Sequence, residues 1–221
     1  MALLVVPPTV EPMTAADVRL RLKYPRTDQD VAIAEWIQSA RNTVERYVER
    51  GLMTQTWEIR VHVCGASASG SVAALVGGES TESHVDRFTH NLTTYRSPRL
   101  GTLQVSSEWR PSVDLVWAAP LQSIVSVTDD TGVVPPASYV VDNTVEPARL
   151  YFLDPARPSG ATVIRYVVGY GDTPETIPPT LRQVVFALVQ QYFLFRSGPP
   201  PQSALDATLC HADGFRVRSF A

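Results

Sequence analysis

Cysteine, basic charge and long apolar runs are all scarce in this chain, and each shortage removes a class of function. Only two cysteines occur in 221 residues, Cys64 and Cys210, far apart in the chain. They form neither a disulfide framework nor a metal-binding spacing, which points to a reducing compartment. The formal net charge is −3, whereas a surface built to coat nucleic acid is usually basic. Charged residues make up 19% of the chain, a little lean for a folded domain. The start, Met1-Ala2-Leu3-Leu4-Val5-Val6-Pro7-Pro8, has no basic flank and too short an apolar core for a signal peptide, so it reads as an extended arm. No serine lies in a nucleophile-elbow pattern. The expectation is a chain that is neither secreted, nor membrane-embedded, nor an enzyme, and that carries no cofactor.

What the sequence does have is one element greasier than a surface helix should be. From Ile177-Pro178-Pro179 to Phe195-Arg196, prolines open a stretch with Leu181, Val184, Val185, Phe186, Leu188, Val189, Tyr192, Phe193, Leu194 and Phe195. Its polar side is reduced to Arg182, Gln183, Gln190 and Gln191. A surface helix carries one apolar stripe and a polar back. This one is too short to span a bilayer at about 1.5 Å per residue, so protein must surround it. The expected buried set is Leu181, Val185, Leu188, Val189, Tyr192 and Phe193, and copies of the chain are expected to help shield it.

The rest of the chain changes period in an orderly way. Met13-Thr14-Ala15-Ala16-Asp17 predicts a capped short helix. Thr27-Asp28-Gln29-Asp30 predicts the cap of a longer one, with Ile33, Ile37, Ala40, Val44, Tyr47 and Val48 as its stripe and Gly51 as its left-handed terminus. Period two begins at Gln55, and strand-like runs recur between Thr102 and Val168. The expected architecture is α+β. Residues 1–12 form an extended arm. Residues 13–54 and 177–197 form a small helical bundle. An antiparallel β-rich region, 55–170, is inserted between them and contains a long irregular insertion, 64–100. Residues 198–221 form an extended C-terminal tail.

Most candidate chemistry yields to plainer readings. His84, Asp86 and His90 could ligate zinc, but they sit in the irregular insertion among Ser and Thr. Gly169-Tyr170-Gly171 lacks a third glycine and a following helix, so it reads as a strand end rather than a phosphate loop. Asp129-Asp130 before Thr131-Gly132 reads as a hairpin rather than paired acids. Cys210-His211 are neighbours whose side chains would diverge. Glu45 and Glu49 read by default as a solvated helix face. The tail stands apart, because Phe215, Arg216, Val217, Arg218 and Phe220 alternate large apolar and cationic side chains past the last element. Two readings stay open there: a terminus folded back on its own domain, or an anchor for another subunit.

Several stretches, in order, resemble the head–tail connector proteins, or adaptors, of tailed phages. They are 13–22, Ala40-Arg41-Asn42-Thr43-Val44-Glu45-Arg46-Tyr47, and Gly51-Leu52-Met53-Thr54-Gln55-Thr56-Trp57-Glu58. Further on come 119–127, Tyr166-Val167-Val168-Gly169-Tyr170-Gly171 and Ile177-Pro178-Pro179. They run in the family's order from residue 13 to residue 179; the insertion 64–100 departs from the pattern. The resemblance implies a non-enzymatic virion protein of the phage neck. It would form a ring, commonly dodecameric, under the portal protein, receive stopper or tail-terminator proteins, and pass DNA through its channel without sequence-specific binding. It implies localisation at the head–tail junction, with assembly in the host cytoplasm. Residues 211–221 would dock on the portal, so their removal is expected to spare the fold. Glu45 and Glu49 become candidate channel-facing residues. The alternatives are another neck component, a stopper or tail-completion protein, or a DNA-packaging factor that contacts DNA directly.

Overall fold

The computed structural model describes residues 2–62, 96–97, 101–102, 112–115, 119–153, 160–196 and 198–217. Four helices and ten strands are found there, and every strand pairing is antiparallel. The α+β class is therefore as the sequence implied. Most of the insertion 64–100 lies outside the described residues. Near its end, β3 (Arg96–Ser97) pairs with β4 (Gly101–Thr102).

Helix α1 (Ala15–Leu22) starts where the sequence places it. Thr14 Oγ1 accepts the Asp17 N–H at 3.1 Å, and Asp17 Oδ2 accepts the Thr14 N–H at 3.0 Å. Two N–H groups at the helix start are satisfied reciprocally. Helix α2 (Asp30–Val48) is the long amphipathic helix, but its ends differ from the reading above. Gln29 stands at its start with no side-chain cap, and Glu49, at φ 57°, takes the left-handed terminal position. Gly51 serves another need. Its N–H bonds the Ala119 carbonyl at 3.2 Å, and a Cβ there would come within 2.9 Å of Val168 and 2.8 Å of Gln55. Glycine is required for close approach to the sheet, not for ending the helix.

Helix α3 (Pro179–Leu194) begins at the prolines, and α4 (Gln202–Leu209) follows it. The helical core gathers Val18 of α1, Ile33, Ile37, Ala40, Val44 and Val48 of α2, and Leu181, Val184, Val185, Leu188 and Val189 of α3. Trp36 near the start of α2 meets Phe193 near the end of α3, so these helices run antiparallel. Gln191 fastens α4 on, donating to the Thr208 hydroxyl at 2.6 Å and to the Ala204 carbonyl at 3.0 Å.

The larger sheet has the order β1-β2-β10-β6-β7: Ala2–Val6, Gln55–His62, Ala161–Val168, Leu121–Asp129 and Gly132–Val133. The N-terminal arm is extended, but it is an edge strand rather than a loose arm. Alternation sends Trp57, Ile59 and Val61 of β2, with Ile164, Tyr166 and Val168 of β10, to one face. That face packs on a second sheet, order β5-β9-β8 (Ser112–Asp114, Arg149–Phe152, Tyr139–Asp142), through Leu115, Leu150 and Phe152. Gly169, at φ 122°, lets the chain leave β10 against the Met53 carbonyl, where a Cβ would sit 2.3 Å away. This is the strand-end role expected of Gly169-Tyr170-Gly171.

Candidate assembly surfaces

A buried polar cluster is built on α2, and it corrects the reading of Glu45. Glu45 is 7% exposed. Its Oε2 meets Arg41 Nη1 at 3.0 Å, one helical turn away. Its Oε1 accepts the Leu52 N–H at 2.8 Å and Gln55 Nε2 at 3.0 Å. Arg41, also buried, reaches back to Glu11 at 2.8 Å. A carboxylate so enclosed faces neither solvent nor a channel. It ties the N-terminal segment, α2 and the start of β2 together. Burial raises the pKa of Glu45 above its ordinary value, with Arg41 opposing. Glu49 sits apart from this cluster, half-buried at the end of α2.

The C-terminal stretch differs from an extended tail over its described part. Residues Cys210–Phe215 form a 3-10 turn that closes over α2 and α3. Ala212 and Val217 are buried, and Phe215 packs on the helical core. The Val217 N–H bonds the Val48 carbonyl at 3.0 Å. Tyr47 donates to Asp213, Arg50 donates to the Phe215 carbonyl, and Arg216 lies 5.5 Å over the Tyr47 ring. Phe215 and Val217 are thus held by their own subunit, Phe215 against the helical core and Val217 by burial and its backbone bond to Val48. Arg216 is exposed, while Arg218 and Phe220 lie outside the described residues.

Helix α3 is enclosed along only part of its length. Leu181, Val185, Leu188 and Val189 are buried as expected, together with Val184. Tyr192 and Phe193 are half-buried. Phe193 is edge-on to Tyr24 at 5.4 Å and to Trp36 at 6.1 Å, with the Arg196 guanidinium 4.1 Å above it. Beyond it Leu194 is 68% exposed and Phe195 is also uncovered. On its own, one chain shelters the first three turns of α3 and leaves its end open.

The sheet edges are the other open surfaces. In β1, Leu3 is 56% exposed, and Leu4, Val5 and Val6 are exposed with it. At the opposite edge Val125 of β6 is 54% exposed and Val133 of β7 is 74% exposed. Isolated exposed valines are ordinary, but contiguous apolar surface marks contact with another molecule.

Asp129 Oδ1 accepts the N–H groups of Thr131 at 2.8 Å and Gly132 at 3.1 Å, which is the hairpin arrangement. Exposed Cys210 donates to the Ala207 carbonyl. His211 joins Pro179, Gln183 and Thr208 around an open groove of about 420 Å³. Among the described residues no three His, Cys, Asp or Glu side chains group as metal ligands. His84, Asp86, His90 and Cys64 lie outside those residues. No helix among the described residues is long and apolar enough to cross a membrane.

No protein-family model and no curated protein matches the chain. Solved structures do. A chain from the neck of an empty gene transfer agent (GTA) particle, computed with C6 symmetry, aligns at TM-score 0.64 and 15% identity, covering 100% of this chain and 97% of that one. A chain from the neck of the native GTA particle, computed with C12 symmetry, aligns at TM-score 0.60 and 17% identity with the same coverage. A chain from the virion of the native particle gives 0.59 and 14%. At these identities the likeness is one of fold, and it extends over the whole of both chains.

Proposed function

We propose that this chain is a structural head–tail connector of a tailed phage or phage-like particle. In this reading it is an adaptor, and copies form a ring beneath the portal that extends the DNA channel and receives the tail. The observation that carries the reading is the end-to-end fold match to chains from GTA necks, solved in sixfold and twelvefold assemblies. A ring needs each subunit to present two different surfaces, one to each neighbour. The uncovered end of α3 and the two apolar sheet edges are surfaces of that kind. The formal charge of −3 suits a conduit, because clustered cations would grip passing phosphates. Portal docking falls to the end of the chain, with Arg216, Arg218 and Phe220 as its side chains, since Phe215 and Val217 are engaged within the subunit.

The reading is tested by mixing the purified chain with the portal ring of its particle and imaging the product. An adaptor adds a second ring on the portal's tail-facing end and joins no other neck protein first. A chain that bound only tail-side proteins would instead be a stopper or tail-completion component. Salt-sensitive binding to naked DNA would favour the packaging-factor alternative.

A further inference from the structure

We propose that neighbouring copies join edge to edge through the larger sheet, the β1 edge of one copy pairing with the β6 edge of the next. The inference rests on the ring reading above and specifies which surfaces make the ring. Among the described residues strand β1 pairs with β2 on one side only, and it is uncharged from Ala2 to Val6. Edge strands of single-copy proteins are usually guarded by charge, a bulge that twists them away or a covering loop. Here a register shift between Leu4 and Val6 is present, yet Leu3, Leu4, Val5 and Val6 are left exposed.

Among the described residues the opposite edge offers a matching vacancy. Strand β6 spans Leu121–Asp129, and β10 pairs along most of its length on the inner side. On the outer side β7 pairs only with Thr128 and Asp129. Among the described residues, 121–126 therefore have no strand beside them. This stretch, Leu-Gln-Ser-Ile-Val-Ser, is also uncharged, and Val125 stands exposed within it. A five-residue strand fits a six-residue vacancy.

The two complementary edges and their strand directions fit a second copy of this chain as the occupant. Every neighbour in β1-β2-β10-β6 is antiparallel, and there are four full-length strands, an even number. If one copy is followed by another in the same orientation around a ring, β1 of the second runs antiparallel to β6 of the first. The ladder continues without a reversal, so the contact is heterologous and can close. Main-chain hydrogen bonds would supply the affinity, as in strand addition generally.

Cysteine crosslinking tests the contact in full-length protein carrying Cys64→Ser and Cys210→Ser. One variant adds Leu4→Cys and the other Val125→Cys, both at exposed positions, and unchanged melting temperatures verify the fold. With a short bis-maleimide, assembled rings made from a mixture of the two should yield covalent dimers, and rings of either variant alone should yield none. Dimers from Leu4→Cys alone would mean two β1 edges meet, which overturns the proposal. Rings without dimers in the mixture overturn it too, while leaving the ring reading intact. A chain that never associates defeats both. As a second measurement, Leu3→Lys with Val5→Lys should abolish rings without changing the melting temperature; rings that persist contradict edge pairing.

Discussion

Glu45 shows how far a single residue's environment departs from its helical position. On a helical wheel it belongs to a polar face, and within α2 its partner is Arg41. Leu52 and Gln55 return from outside the helix to enclose it, and Glu11 holds its partner Arg41. Long-range closure of that kind leaves no local sequence signal. A buried ion pair that loses one partner typically costs about 3–5 kcal/mol. Arg41→Ala should therefore lower stability by about that much, read by chemical denaturation. A loss near zero would mean water reaches Glu45. Its pKa also carries a sign. Because burial raises it in the folded state, folding takes up a proton just above the ordinary value of 4.5, and stability falls as pH rises through that window. Glu45→Gln removes this dependence. Wild type should thus gain on the variant as pH drops from 7 toward 4.5, and a gap moving the other way would contradict the assignment.

At the scale of elements, what could be read from the chain depended on whether the cause was local. The Thr14–Asp17 cap, the period-two strands and the burial of Leu181, Val185, Leu188 and Val189 in α3 are written in adjacent residues, whereas Tyr192 and Phe193 are only half-buried. The docking of Ala2–Val6 on β2 and the folding back of Cys210–Phe215 depend on partners far along the chain. Composition alone could not choose between a free tail and a folded one. The structure alters the truncation expected from sequence. Removing residues 218–221 should leave the melting temperature unchanged. Removing 210–221 strips Ala212 and Phe215 from the helical core, along with the buried Val217, and should lower it by several degrees. Equal melting temperatures for the two truncations would show that the 3-10 turn contributes nothing to the fold.

For the whole molecule, the helical core and the β sandwich are joined at Gly51 and Gly169 and by Arg50, which pairs with Glu146 across the junction. The most apolar helix is sheltered within one chain for its first three turns, so need for neighbours is concentrated at Leu194–Phe195 and at the sheet edges rather than spread around α3. Shielding by other copies is thus a smaller demand than the sequence implied, and a more localised one. Sedimentation of the full-length chain across a range of concentrations, with and without its portal, probes that demand most directly. Closed rings, formed alone or on the portal, are the predicted outcome. A single copy that stays single in both conditions would contradict the account.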